Sequence, residues 1–182
     1  ELGMNSLALT DHGSMHGVID FYLAAKKAGI KPIIGCEVYV APMGRHTRTP
    51  GQKSFYHLVL LAKNVDGYRN LLKLVTLSNM EGFYYKPRVD KELLAQYSGG
   101  LIALSACLKG EIPQLILEGM IEEAEQAALW HKQVFGEYYL ELQRHDIPEL
   151  AKVNAGLIAM SKKLDLPLVA TNDTHYINQA DS

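Results

Sequence analysis

The sequence predicts an α/β fold, a mostly parallel sheet covered by helices. Hydrophobic runs of strand length alternate with segments of helical period from one end of the 182 residues to the other. The strand-like runs are near-continuous Ile, Leu and Val, as expected of strands buried on both faces. No internal repeat or low-complexity linker divides the series, so one domain over 1–182 accounts for it. An open doubly wound sheet and a barrel satisfy the pattern equally, and periodicity does not choose between them.

The first strand is expected over 6–10, running into Asp11, His12 and Gly13. An amphipathic helix over 15–28 follows, stopped by Gly29. Residues 32–40 are strand-like and almost wholly apolar. Residues 41–54 hold Pro42, Pro50, Gly44, Gly51 and several basic side chains, and read as a loop. A strand at 55–62 and a helix at 65–80 come next. The stretch "GFYYKPR" at 82–88 is expected to form a packed aromatic cluster, although interleaved rings and cations also suit single-strand binders. A short helix at 90–97 precedes Gly99-Gly100 and a strand at 101–106. Helices at 111–117 and 121–135, a strand at 138–143, a helix at 148–164 and a strand at 167–171 complete the series.

Hydrophobic content of 48% and charged content of 21% are ordinary for a globular protein. A net charge of −2 supplies no global basic field for nucleic acid or an anionic membrane, though a local basic loop would not show in that sum. No apolar stretch approaches the ~20 residues needed to span a bilayer, and no signal peptide is visible. Cys36 and Cys107 offer no disulfide framework, which favours a reducing, cytoplasmic setting. Glu1-Leu2-Gly3 reads as the last turn of a helix, and 180–182 follow a strand, so a fragment of a longer chain is expected.

In parallel α/β folds, sites form where strands end and loops begin. Here those positions carry metal-ligand types: Asp11-His12, Cys107, Arg144-His145 and Asn172-Asp173-Thr174-His175. Asp173 and His175 are two apart, and an extended backbone would point both to one face. Glu37 lies inside the apolar run 33–40, where a carboxylate is costly unless a cation pairs with it. Only a helix-free loop separates it from His57, which suits an antiparallel hairpin that brings the two to one sheet edge. Taken singly, each has an ordinary role: a solvated histidine, a small core cysteine, an N-cap aspartate. Six ligand types gathered at strand ends are hard to ascribe to chance.

Mixed imidazole, carboxylate and thiol donors suit zinc, manganese or iron, and more than four candidates suggest more than one ion. Two ions bridged by a carboxylate form a clamp for phosphoester hydrolysis, with Glu37 as the natural bridge. Arg45, Arg48 and Lys53, in the loop beside Glu37 and His57, are candidates for backbone phosphates. His16 and His131 fall in expected helices and are assigned to packing or surface. No phosphate-cradling or dinucleotide-type glycine loop is present.

Four of these motifs resemble the PHP (polymerase and histidinol phosphatase) family: Thr10-Asp11-His12-Gly13, Gly35-Cys36-Glu37, the strand headed by His57, and Asn172-Asp173-Thr174-His175-Tyr176. The strings "GFYYKPRVDKELL" (82–94), "LSACLKGEI" (104–112), "LELQRHD" (140–146) and "ATNDTHY" (170–176) are similar to the PHP domains at the N-terminus of bacterial DNA polymerase III α subunits. The resemblance implies a distorted (β/α)₇ barrel with a metal cluster at the C-terminal ends of its strands. The family's His-x-His motif is absent, which implies a first strand lying upstream. It implies His12, Glu37, His57, Cys107, Asp173 and His175 as ligands of divalent zinc, manganese or iron, with up to three ions in the complete domain. Glu37, His12 and Asp173 are then the catalytic set, with Asp11 and His145 in support. The implied activity is metal-dependent phosphoester or 3′–5′ exonuclease hydrolysis within a DNA-directed DNA polymerase. DNA, the remaining polymerase domains and other replicase subunits are the implied partners, with no membrane involved. A free-standing phosphatase on a small phosphomonoester and a non-catalytic bracing module are the alternatives.

Overall fold

A computed structural model describes residues 3–50, 55–176 and 178–181. The chain begins with β1 (Ser6–Leu9), α1 (Val18–Lys27), β2 (Lys31–Val40) and β3 (Tyr56–Ala62). Helix α2 (Val65–Met80) leads through the two-residue strand β4 (Arg88–Val89) to α3 (Lys91–Gln96) and β5 (Leu101–Leu104). Then come α4 (Glu111–Glu118), α5 (Ile121–Phe135), β6 (Tyr138–Gln143), α6 (Pro148–Leu164), β7 (Leu168–Thr171) and a closing 3₁₀ turn (Gln179–Asp181).

The strands form one sheet in the order β1-β2-β3-β5-β6-β7, with β4 added beside β2. Neighbours pair in parallel except at β3, which is antiparallel to both β2 and β5. The helix-free connection before it thus makes the hairpin its length suggests. Reversal puts the start of β3, at His57, level with the ends of the other strands. His57 accordingly bridges to Gly110, just beyond β5.

Alternation assigns the two faces. Cys36, Val38, Val40, Leu58, Leu60, Tyr138 and Leu140 point outward against Leu71, Leu74, Leu94, Ile112, Ile116, Ala128 and Leu157 of the helices, and this is the main core. Val59, Leu104 and Ala106 point inward and form a smaller cluster with Leu61, Ile102, Tyr139 and Val169. Glu37, Tyr39, His57, Glu141 and Gln143 share that inner face by register, all of them buried. The inner face is therefore apolar at one end and polar at the other.

The sheet curls. Strands β1 and β7 lie at opposite ends of the strand path, yet the rings of His12 and His175, just beyond them, are only 5.7 Å apart. The architecture is a distorted, open α/β barrel, as the resemblance implies.

One local difference has a plain cause, and His131 packs as its helical position suggests. Helix α1 starts at Val18, later than its apolar period suggests, because Gly17 precedes it without a side-chain cap, and His16 is left exposed in the turn before it. His131 is buried in α5 and bonds Glu111 Oε2 through Nε2 at 3.2 Å, so it packs and does not ligate. Among the described residues, no helix is long and apolar enough to cross a membrane.

Candidate metal centre

The His12 loop is built onto strand β2 by backbone bonds. Glu37 N–H donates to Asp11 O at 3.0 Å, and Gly13 N–H donates to Glu37 O at 2.9 Å. Cys36 Sγ adds a contact to Asp11 O at 3.3 Å, so Asp11 supports the loop through its carbonyl. Gly13 has φ +63°, and a β-carbon there would lie 2.9 Å from both Pro87 Cγ and Tyr39 Cε2. Only glycine fits that close approach.

This ladder sets His12 beside Glu37. In the hairpin, Glu37 faces Val59 and Tyr39 faces His57, which makes Glu37 and His57 diagonal neighbours on one face. They meet on interior strands, not at a sheet edge as the loop length alone suggests. His57 Nδ1 lies against Glu37 Oε1, and His12 Nδ1 is 3.8 Å from the same oxygen. One donor atom from each of the three residues lies within 4.8 Å of the others. Glu37 Oε1 is buried, and no hydrogen bond reaches it. A buried carboxylate oxygen that faces two imidazole nitrogens suits a divalent cation, the one partner that would satisfy all three. The residues therefore fit such an ion.

Further candidates ring the same place. Cys107 Sγ is 3.7 Å from His57 Nδ1, and burial, aided by the charges of Glu37, Asp173 and Glu141, pushes its thiol up to about 11. Cys107, Asp173, His175 and His145 line, with His12 and His57, a cleft of about 290 Å³. A second cleft of about 230 Å³, between the ends of β1 and β7, shares His12, Asp173 and His175 and includes Asp11 and Glu37. Asp173 and His175 reach these clefts by a route other than an extended backbone. Both lie beyond the end of β7, with no ladder to hold them, and Asp173 takes a left-handed φ of +47°. His175 Nδ1 bonds Asp173 O at 2.8 Å. A carbonyl only accepts, so Nδ1 carries the proton and Nε2 keeps its lone pair for a ligand.

A family model for the PHP domain matches residues 1–145. The chain belongs to the PHP domain family. Relatives of this PHP domain include the DNA polymerase III subunit alpha of Borreliella burgdorferi, 53% identical over 182 residues, covering 98% of this chain and 16% of the relative. The subunit alpha of Treponema pallidum is 50% identical over 186 residues, covering 100% of this chain and 16% of the relative. The chain thus spans about one sixth of the length of these relatives. A proposed metal-dependent phosphoesterase from Bifidobacterium adolescentis shares the fold with a TM-score of 0.57 at 12% identity, over 96% of this chain and 79% of that one. An amidohydrolase from Chromobacterium violaceum does so with a TM-score of 0.52 at 14% identity, over 94% of this chain and 77% of that one.

The basic loop of this PHP domain differs from the sequence reading. Arg45 is held by carboxylates: Nε by Glu81 at 2.7 Å, and Nη1 by Asp90 at 2.9 Å and Glu92 at 3.1 Å. Asp90 is buried and also caps α3 by accepting from Leu93 N–H, so Arg45 neutralises a carboxylate that the helix start requires. Arg48 is exposed and lines neither cleft, and Lys53 lies outside the described residues. Arg45→Ala is expected to cost about 2–3 kcal/mol of stability by stranding Asp90. A denaturant midpoint unchanged by that substitution, with DNA affinity reduced, would return Arg45 to phosphate binding.

Four residues at the site escaped the sequence reading. Tyr39 stands beside the histidines, its ring 6.1 Å from that of His12 and 5.3 Å from that of His57. Its position two residues after Glu37 on one strand was the available signal. Lys109 and Gln143 line the larger cleft. Glu141 is buried on β6; burial raises its carboxyl above the usual range despite bonds from Thr171 and Gln143, and Oε2 has no partner. It carries the same signal as Glu37, a carboxylate within an apolar run.

Proposed function

We propose that this chain is the PHP domain of a bacterial DNA polymerase III α subunit, and that it hydrolyses phosphodiesters at a DNA 3′ end. One observation carries the reading: His12, Glu37 and His57 converge where Cys107, Asp173 and His175 line the same open cleft. His12, Glu37 and His57 would hold one ion, and Cys107, Asp173 and His175 would complete a site for further ions, up to three in all. The mixed donors suit zinc, manganese or iron. Bound there, such ions supply Lewis-acid activation of water and of a phosphoryl oxygen.

The chain's own residues do the rest. Glu37, fixed on two sides by the β1 and β3 ladders, keeps the cation-holding charge at one point on a rigid face. The Nδ1–H bond of His175 to Asp173 O orients the second ring. Lys109 and His145, on the cleft wall, suit the non-bridging oxygens of a phosphodiester. The substrate partner is DNA, the other partners are the rest of the polymerase and further replicase subunits, and the setting is the bacterial cytoplasm.

The test is release of nucleotides from a labelled 3′ overhang by the full-length polymerase, with and without chelator, against Asp173→Asn. Loss of release under both conditions is expected. Release that survives the chelator or the substitution would sink the reading and leave a bracing module.

A further inference from the structure

The segment 82–88 packs in part, with Tyr84 between Tyr85 and Arg88, and is open at its tip. Its base is fixed. Arg88 is buried and donates from Nε to Gly82 O at 3.0 Å and from Nη2 to Arg45 O at 3.0 Å and Thr47 O at 2.9 Å. Tyr84 N–H donates to Lys86 O at 3.0 Å and closes the turn, and the Arg88 guanidinium sits 5.1 Å from the Tyr84 ring centre. Its tip faces water. Phe83 is 54% and Tyr85 78% exposed, and Tyr85 is held at φ +59°. A non-glycine residue in the left-handed region costs free energy, and so does a large exposed ring. Tyr85 meets the Tyr84 ring edge-on, ring centres 4.6 Å apart, and most of its surface and of that of Phe83 is left to water.

The turn also abuts the candidate metal centre. Pro87 and the Tyr39 ring close on Gly13, the residue after His12. Lys86 Nζ lies 5.6 Å from the centre of the Tyr39 ring, which itself touches His12 and His57. Lys86 thus stands on one rim of the site, and Lys109 and His145 line the cleft beside it. Exposed rings just before Lys86 in the sequence, beside a cleft lined by Lys109 and His145, match a single strand, with bases on the rings and phosphates on the cations.

We propose that Phe83 and Tyr85 form a stacking subsite for the terminal bases of single-stranded DNA, with Lys86 on the intervening phosphate, and that this turn delivers the 3′ end to the metal centre. The proposal rests on the phosphodiesterase reading above for its destination. The platform itself is independent of hydrolysis. Binding there reads base presence and not base identity, because every base offers a π face.

The experiment uses the full-length polymerase in chelator and an oligothymidylate ending in 5-iododeoxyuridine. Irradiation and peptide mapping are expected to place a crosslink on Phe83 or Tyr85. Tyr85→Gly removes the ring and suits the left-handed backbone, so the turn keeps its shape. It is expected to reduce that crosslink at least about fivefold, the scale of losing one stacked base. Tyr85→Trp is expected to retain it. In hydrolysis, Tyr85→Gly should raise KM for a normal 3′ end, leave kcat unchanged, and leave KM for an abasic 3′ end unchanged. Crosslinks confined to other peptides, or a crosslink indifferent to Tyr85→Gly, would overturn the subsite. A crosslink that forms in a protein showing no chelator-sensitive hydrolysis supports the subsite and rejects the phosphodiesterase reading instead.

Discussion

Glu37→Gln is expected to remove bound transition metal and chelator-sensitive hydrolysis together, while leaving the metal-free fold at least as stable as before. Glu37 Oε1 is buried, no hydrogen bond reaches it, and two imidazole nitrogens face it. Glutamine keeps the volume and the backbone ladder but removes the negative charge that a cation needs. Loss of an outer partner to a metal ligand typically costs about 10- to 100-fold in affinity or activity. Loss of a central carboxylate should exceed that. Without metal the sign reverses, because a buried carboxylate is a penalty that the amide avoids. The measurements are metal content by elemental analysis after dialysis and the thermal midpoint in chelator. A variant that holds wild-type metal would place the ion elsewhere among His175, Asp173 and Cys107. A lower midpoint in chelator would mean that Glu37 is a structural residue.

A chain extended upstream of Glu1 is expected to melt about 10 °C higher than residues 1–182 alone. Strand β1 pairs only with β2, and β7 only with β6, so each leaves one edge open among the described residues. Leu7 on β1 is 49% exposed and Leu168 on β7 is 39% exposed. The cleft of about 230 Å³ lies between the ends of these two strands. Open edges expose unpaired backbone groups, and a strand placed between them would pair both and cover their side chains. Roughly 3–5 kcal/mol from that burial corresponds to about 10 °C at the usual scaling for a domain of this size. Calorimetry of the two chains decides it. Equal midpoints would show that nothing upstream closes this sheet.

The elements that could be read from residue order alone are those buried on one clear stripe or on both faces. Helices α2 and α5 and strand β6 fall where their apolar periods place them, because main-core packing and local pattern agree. Strand β4 has two residues, too short for any period, and exists only because β2 offers an open ladder at Tyr39 and Val40. At the site, Glu37 was legible because charge inside an apolar run is improbable without a partner. Glu141 carried that signal too, yet its neighbours resembled an ordinary strand end.

Arg45 was misread for a physical reason. Its partners Glu81, Asp90 and Glu92 lie on elements far along the chain, and a basic loop looks solvated until its contacts are known. The backbone at Asp173 departs from the extended run expected there because alternation applies to a laddered strand, and the ladder stops at Thr171. At 82–88 the aromatic cluster packs only around Tyr84, and the buried Arg88 at its base shows why Phe83 and Tyr85 stand out from it.

The reversed strand β3 also has a consequence for how the site comes into being on the ribosome. His12, Glu37 and His57 sit on β1's exit loop and a local hairpin, so their convergence needs only short loops to close. Asp173 and His175 join them only after every intervening helix has been made and the sheet has curled round to bring β7 beside β1. A nascent chain therefore brings His12, Glu37 and His57 within reach of one another before Asp173 and His175 have been made. Synthesis proceeds at about 5–20 residues per second, so that interval lasts seconds.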